Sequence, residues 1–137
     1  MALLETIFTF LFCLFPIKPS SKSEMLNILA DEDYRRVELT PHIELRPIQG
    51  ENSLTPYLRD YTFSIIVTAK KRGKRNVVWR QKCCTFLEGE IDLSKEKDRT
   101  RCCSCINSSM ERTEKGLKKR APYLTVSYFD LKPEDIA

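Results

Sequence analysis

The chain has one histidine, His42, one tryptophan and four glycines in 137 residues. So little glycine excludes a glycine-rich phosphate loop, whose tight turns need residues free to take positive φ. There is no nucleophile-elbow sequence, and no pair of carboxylates falls on a common predicted face. The sequence therefore predicts a protein that is not an enzyme, with no cofactor and no resident metal. Internal repeats and low-complexity tracts are also missing. The closing "LKPEDIA" lacks the hydrophobic tail that a glycolipid anchor requires.

Long apolar runs are equally scarce. The one uncharged run, Ile7 to Ile17, has eleven residues. As a helix it would reach about 16 Å, against a hydrocarbon core of about 30 Å. That is the length of a signal-peptide core, although no Lys or Arg precedes it. Ser21 and Ser23 fit the small positions of a cleavage site. The pattern predicts a signal peptide over residues 1–23 and a secreted chain consisting of one β-rich extracellular domain, residues 24–137. An uncleaved membrane anchor is the alternative.

The charge balance is mild: 23 Lys and Arg against 19 Asp and Glu give +4. An excess of that size does not by itself call for nucleic acid, and none is expected as a partner. "SEMLNILADEDYRR" predicts a short helix with Ser23 as its cap. From Arg36 the period changes. Val37 and Leu39, then Ile43 and Leu45, alternate with polar neighbours, as half-buried strands do, with a break at Pro41 and an end at Pro47. "YTFSIIVTAKKRGKRNVVWRQKCCTF" is the clearest signal, two alternating runs joined by a basic turn in which Gly73 supplies a positive φ. "EGEIDLSKEKDRTR" and "NSSMERTEKGLKKR" read as polar excursions, the second partly helical. "PYLTVSYFDL" alternates Leu124, Val126 and Tyr128 against Tyr123, Thr125, Ser127 and Phe129, which predicts a last strand. The expected fold is mainly β, a small disulfide-stapled β-sandwich or curled antiparallel sheet with a short N-terminal helix.

Loss of Cys13 with a signal peptide would leave five cysteines. Cys83 and Cys84, like Cys102 and Cys103, are adjacent, and in extended chain adjacent side chains face opposite ways. Each pair would then present one sulfur to each face, so two disulfides could close across them, for example Cys83 with Cys103 and Cys84 with Cys102, with the two other pairings of these four and every pairing using Cys105 left open. In a secreted chain disulfides are favoured over a thiolate zinc site, even though Cys102 and Cys105 have zinc-knuckle spacing. Cys105 is left over, as a free thiol or as the link of a disulfide-bonded homodimer.

Two residues on, Asn107-Ser108-Ser109 is an acceptor sequence for N-glycosylation. Lys70, Lys71, Arg72, Lys74 and Arg75 crowd the predicted hairpin tip, and Arg80 and Lys82 follow along one strand face. These seven are the candidate polyanion-binding residues, alternatively a solvated turn. Taken together, the residues predict a secreted, disulfide-stabilised binding or signalling protein, cytokine-like or an effector. Its partner would be an extracellular protein or a sulfated polysaccharide. The alternative is an intracellular or membrane-anchored accessory protein with a cysteine zinc site and a basic hairpin touching nucleic acid.

Overall fold

The computed structural model describes residues 15–47, 57–84 and 91–136, with side chains for 15–43, 63–83 and 91–136. In chain order the elements are helix α1 (Lys22–Asp31), strands β1 (Arg36–Pro47), β2 (Tyr57–Lys70), β3 (Val77–Cys84) and β4 (Ile91–Asp92), helix α2 (Glu96–Arg120) and strand β5 (Thr125–Ser127). A single 3-10 turn, Pro133–Asp135, closes the chain. The sheet runs β3-β2-β1-β5, with β4 paired to the start of β2. β1, β2 and β3 form an antiparallel meander, and β5 joins the outer edge of β1 in parallel.

The alternation read from the sequence sets the sheet's two faces. The register aligns Val37 with Ala69, Leu39 with Val67 and Ile43 with Phe63, and then Val67 with Trp79 and Ala69 with Val77. These side chains point to one face, where Val37, Leu39, Phe63, Ile65, Val67, Ala69 and Val77 are all buried. Pro41 does not interrupt β1. Arg35 accepts from the Thr125 amide, so the odd-numbered backbone groups of β1 face β5. The hydrogen that Pro41 lacks is thus one that the β2 ladder never used.

Helix α2 covers that face. Its buried residues are Cys102, Cys103, Ile106, Ser109, Met110, Thr113 and Leu117, a stripe at helical spacing. Glu96 and Asp98 lie in its first turn and Lys118, Lys119 and Arg120 in its last, the arrangement that complements the helix dipole. Ion pairs Glu111–Lys115 and Glu114–Lys118 line its exposed side. Met25, Leu26 and Leu29 of α1 join the same core. The result is two layers, both helices on one side of a mixed sheet.

The expected mainly β, disulfide-stapled fold is therefore corrected. The expected polar excursions, 88–101 and a partly helical 107–120, with the cysteine stretch 102–106 between them, give way over residues 96–120 to one 25-residue helix. Cys102, Cys103 and Cys105 lie on that helix, where neighbours are turned by about 100° rather than alternating across a strand. Cys102 and Cys103 are buried in it, whereas Cys83 sits on β3, its thiol donating to the Gln81 carbonyl at 3.7 Å. Among the described residues no two cysteines stand at disulfide distance, so the expected staples to Cys102 and Cys103 are not formed; the Cys84 side chain lies outside the described residues. Burial, helped by the Asp135 and Glu134 charges, pushes the Cys103 thiol above its ordinary pKa.

The N-cap of α1 also differs from the expected one. Ser21, not Ser23, caps α1 and accepts from the Glu24 amide at 3.1 Å. The Ser20 hydroxyl and amide both donate to the Glu24 carboxylate and hold it below its usual range. Ahead of the cap, Pro19 is buried and Ile17 is bridged to β3: its amide donates to Asn76 at 2.8 Å and its carbonyl accepts from Val78 at 2.9 Å. A cut after Ser23 would fall in the first turn of α1 and remove all of these contacts.

Two measurements check this packing. Under denaturing, non-reducing conditions Cys102 and Cys103 should both take an alkylating label; a peptide linking either to Cys83 or Cys84 contradicts the fold. In urea unfolding, Ile106→Ala should cost about 2–5 kcal/mol and the exposed Ser104→Ala under about 0.5 kcal/mol. Equal small losses would mean that the stripe is not core.

Candidate functional site

The β2–β3 turn lies at one end of the sheet, and Gly73 has the predicted positive φ of 78°. The antiparallel register places Arg36 directly opposite Lys70. The start of β1 therefore brings Arg35 and Arg36 to the five basic residues of the hairpin tip. Asp33, Arg35, Arg36, Lys70, Lys71 and Arg72 line an open cleft of about 690 Å³. Two cations facing each other across a strand pair repel. A diagonal contact from Lys70 to Glu38 at 2.8 Å offsets part of that cost.

The charges at this end do different jobs. Helix α1 has no basic residue in its own last turn. Lys71 supplies one by donating to the Glu32 carbonyl at 2.7 Å, and Lys74 pairs with the Glu32 carboxylate at 3.7 Å. Buried Tyr34 donates to the Arg75 carbonyl at 2.6 Å, which fastens the turn to the segment after α1. The Arg75 side chain donates to the Phe15 carbonyl at 2.8 Å, and Arg35 pairs with Asp33 at 3.1 Å.

Lys71 and Arg75 thus bond to carbonyls, which orient them without neutralising them. The Arg36 and Arg72 side chains make no hydrogen bond or ion pair among the described residues. Arg36, Lys71 and Arg72, which line the cleft, and Arg75 of the β2–β3 turn have no carboxylate partner among the described residues.

Arg80 and Lys82 are not part of the cleft. They stand exposed on the sheet face away from the helices, beside Ile66 and Ser64 in the register. Arg80 lies four residues along from Lys70's row, about 13 Å at strand spacing. The seven candidates therefore divide into a tip of five and a pair farther along the same outer face. The sequence reading missed Arg35 and Arg36. Their signal is the basic pair that opens β1, but which turn they meet depends on the strand register.

Asn107 has a structural duty. It lies in the middle of α2, half-buried; its Oδ1 accepts from the Leu131 amide at 2.7 Å and its Nδ2 donates to the Leu131 carbonyl at 3.0 Å. This clamp ties the C-terminal tail to α2, and a glycan on Nδ2 would have to occupy the same crowded position. Cys105 is half-buried on the same helix. Among the described residues no three His, Cys, Asp or Glu side chains converge as metal ligands, and no helix is long and apolar enough to cross a membrane.

Replacing Asn107 by Ala should speed amide exchange at Leu131 and cost about 1–2 kcal/mol of stability. Unchanged exchange at Leu131 would show that the clamp does not hold the tail. No known protein family, curated protein or solved structure matches the chain, so its chemistry is read from these residues alone.

Proposed function

We propose that this is a non-catalytic binding protein whose basic end takes a sulfated or phosphorylated polyanion. The observation that carries the reading is the group of Arg36, Lys71, Arg72 and Arg75, supplied by β1 and the β2–β3 turn without a carboxylate for each charge, the first three lining one cleft. Surface cations that serve only solubility are ordinarily interspersed with acids. Here Arg36 is held against Lys70, a repulsion that a ligand's anionic groups would relieve.

Guanidinium groups suit this role. They offer paired donors that match two oxygens of one sulfate or phosphate. Arg80 and Lys82 extend positive charge along the open sheet face, so a flexible polymer seated in the cleft could continue over them. Lys71 and Lys74 also tie the hairpin tip to α1, so the binding surface is held in place before any ligand arrives.

Retention on a heparin-type resin tests the reading. The folded protein should bind and elute with rising salt, as attraction built from several charges requires. Arg36→Gln with Arg72→Gln should elute at markedly lower salt with an unchanged melting temperature, and Arg80→Gln with Lys82→Gln should shift elution less. Elution of the first double variant with the unaltered protein would overturn the proposal.

A further inference from the structure

We infer that the polyanion taken by the basic end is a sulfated glycan, and that a second cleft beside the first reads its sugar hydroxyls. This rests on the polyanion reading above and narrows it to one class of polymer. Arg36, Val37, Glu38, Lys70, Thr125 and Ser127, from the neighbouring strands β2, β1 and β5, line this second cleft of about 290 Å³. Arg36 and Lys70 also line the cleft at the hairpin end, so the two adjoin at that pair of cations.

The strand register sets the arrangement. Arg36 lies beside Thr125 and Glu38 beside Ser127, and all four alternate with buried Val37 and Val126, so they share the outer face of the sheet. At strand spacings they mark a rectangle of about 7 by 5 Å, with a cation, a carboxylate and two hydroxyls at its corners. The Thr125 and Ser127 side chains are exposed and make no hydrogen bond among the described residues. The Glu38 carboxylate meets Lys70 through Oε2 at 2.8 Å and keeps Oε1 as an acceptor.

A carboxylate at this point decides between ligands. Inorganic polyphosphate brings no hydrogen-bond donor at neutral pH, so Glu38 only repels it. A sulfated sugar chain carries hydroxyls between its sulfates, and a hydroxyl is a donor that a carboxylate accepts with the help of its charge. With a sulfate seated on Arg36 and Lys70, a neighbouring sugar hydroxyl donates to Glu38. Thr125 and Ser127, able both to donate and to accept, complete the contact.

Calorimetry at one salt concentration compares a heparin-type hexasaccharide with inorganic polyphosphate of matched charge, using the unaltered full-length chain. The hexasaccharide should bind more tightly, by about threefold or more. Glu38→Ala should weaken the hexasaccharide by about three- to tenfold yet tighten polyphosphate, since it removes the acceptor and the repulsion together. Glu38→Gln, which keeps a carbonyl acceptor, should recover part of the hexasaccharide binding. Thermal unfolding shows whether each variant is intact. If loss of the Glu38–Lys70 pair unfolds the domain, Thr125→Val with Ser127→Ala repeats the test and should weaken the hexasaccharide more than polyphosphate. Tightening of both polymers by Glu38→Ala is what charge alone would give, and it would overturn the glycan inference. Polyphosphate bound as tightly as the hexasaccharide, or more so, would do the same and leave the polyanion reading standing. Binding of neither polymer by the unaltered protein would overturn both.

Discussion

The apolar stripe of α2 against one face of the β1–β2–β3 meander is the contact on which everything else depends. Ile106, Met110 and Leu117 are fully buried there against Phe63, Ile65 and Val67, and α1 adds Met25 and Leu29 to the same layer. Burial of this kind is the main favourable term in folding a domain of this size. With both helices on one face, the other face and the two ends of the sheet are left to polar groups. The basic tip follows from that arrangement, since the turn joining the two best strands projects beyond the core.

The tip is anchored as well as charged. Lys71 and Lys74 reach the C-terminal end of α1, Tyr34 holds the Arg75 carbonyl, and Arg75 holds Phe15. A hairpin turn left to itself moves on fast timescales and loses entropy when it binds. These cross-contacts offset that cost in advance. Lys71 and Lys74 contact the end of α1, while the Arg36 and Arg72 side chains make no hydrogen bond or ion pair among the described residues.

What could be read from the sequence was what local pattern determines. The β2–β3 hairpin, its Gly73 turn and the two faces of β1 follow from a period of two and from β-branched residues, and the structure places them as expected. The final strand survives in shortened form, with Val126 buried and Thr125 and Ser127 exposed, but its parallel pairing with β1 is a matter of topology that alternation cannot reveal. The long helix was missed for a physical reason. Its core stripe is built from Cys102, Cys103, Ser109 and Thr113 as well as Ile106, Met110 and Leu117, so a period of 3.6 was masked by small and weakly polar residues. Judging adjacent cysteines by strand geometry then turned two buried helix positions into disulfide partners. At the candidate site, the five tip residues were visible as a charge run, while Arg35 and Arg36 join them only through the register of β1 on β2.

In the proposed reading the cations at the hairpin end, and not the outer sheet face as a whole, form the binding surface. Backbone amide shifts followed by NMR during titration with a short heparin-type fragment test it most directly. Shifts should concentrate at residues 35–36 and 70–75, with smaller changes at Arg80 and Lys82. Shifts centred instead on the C-terminal tail around Phe129 and Leu131, or spread evenly over the chain, would contradict it.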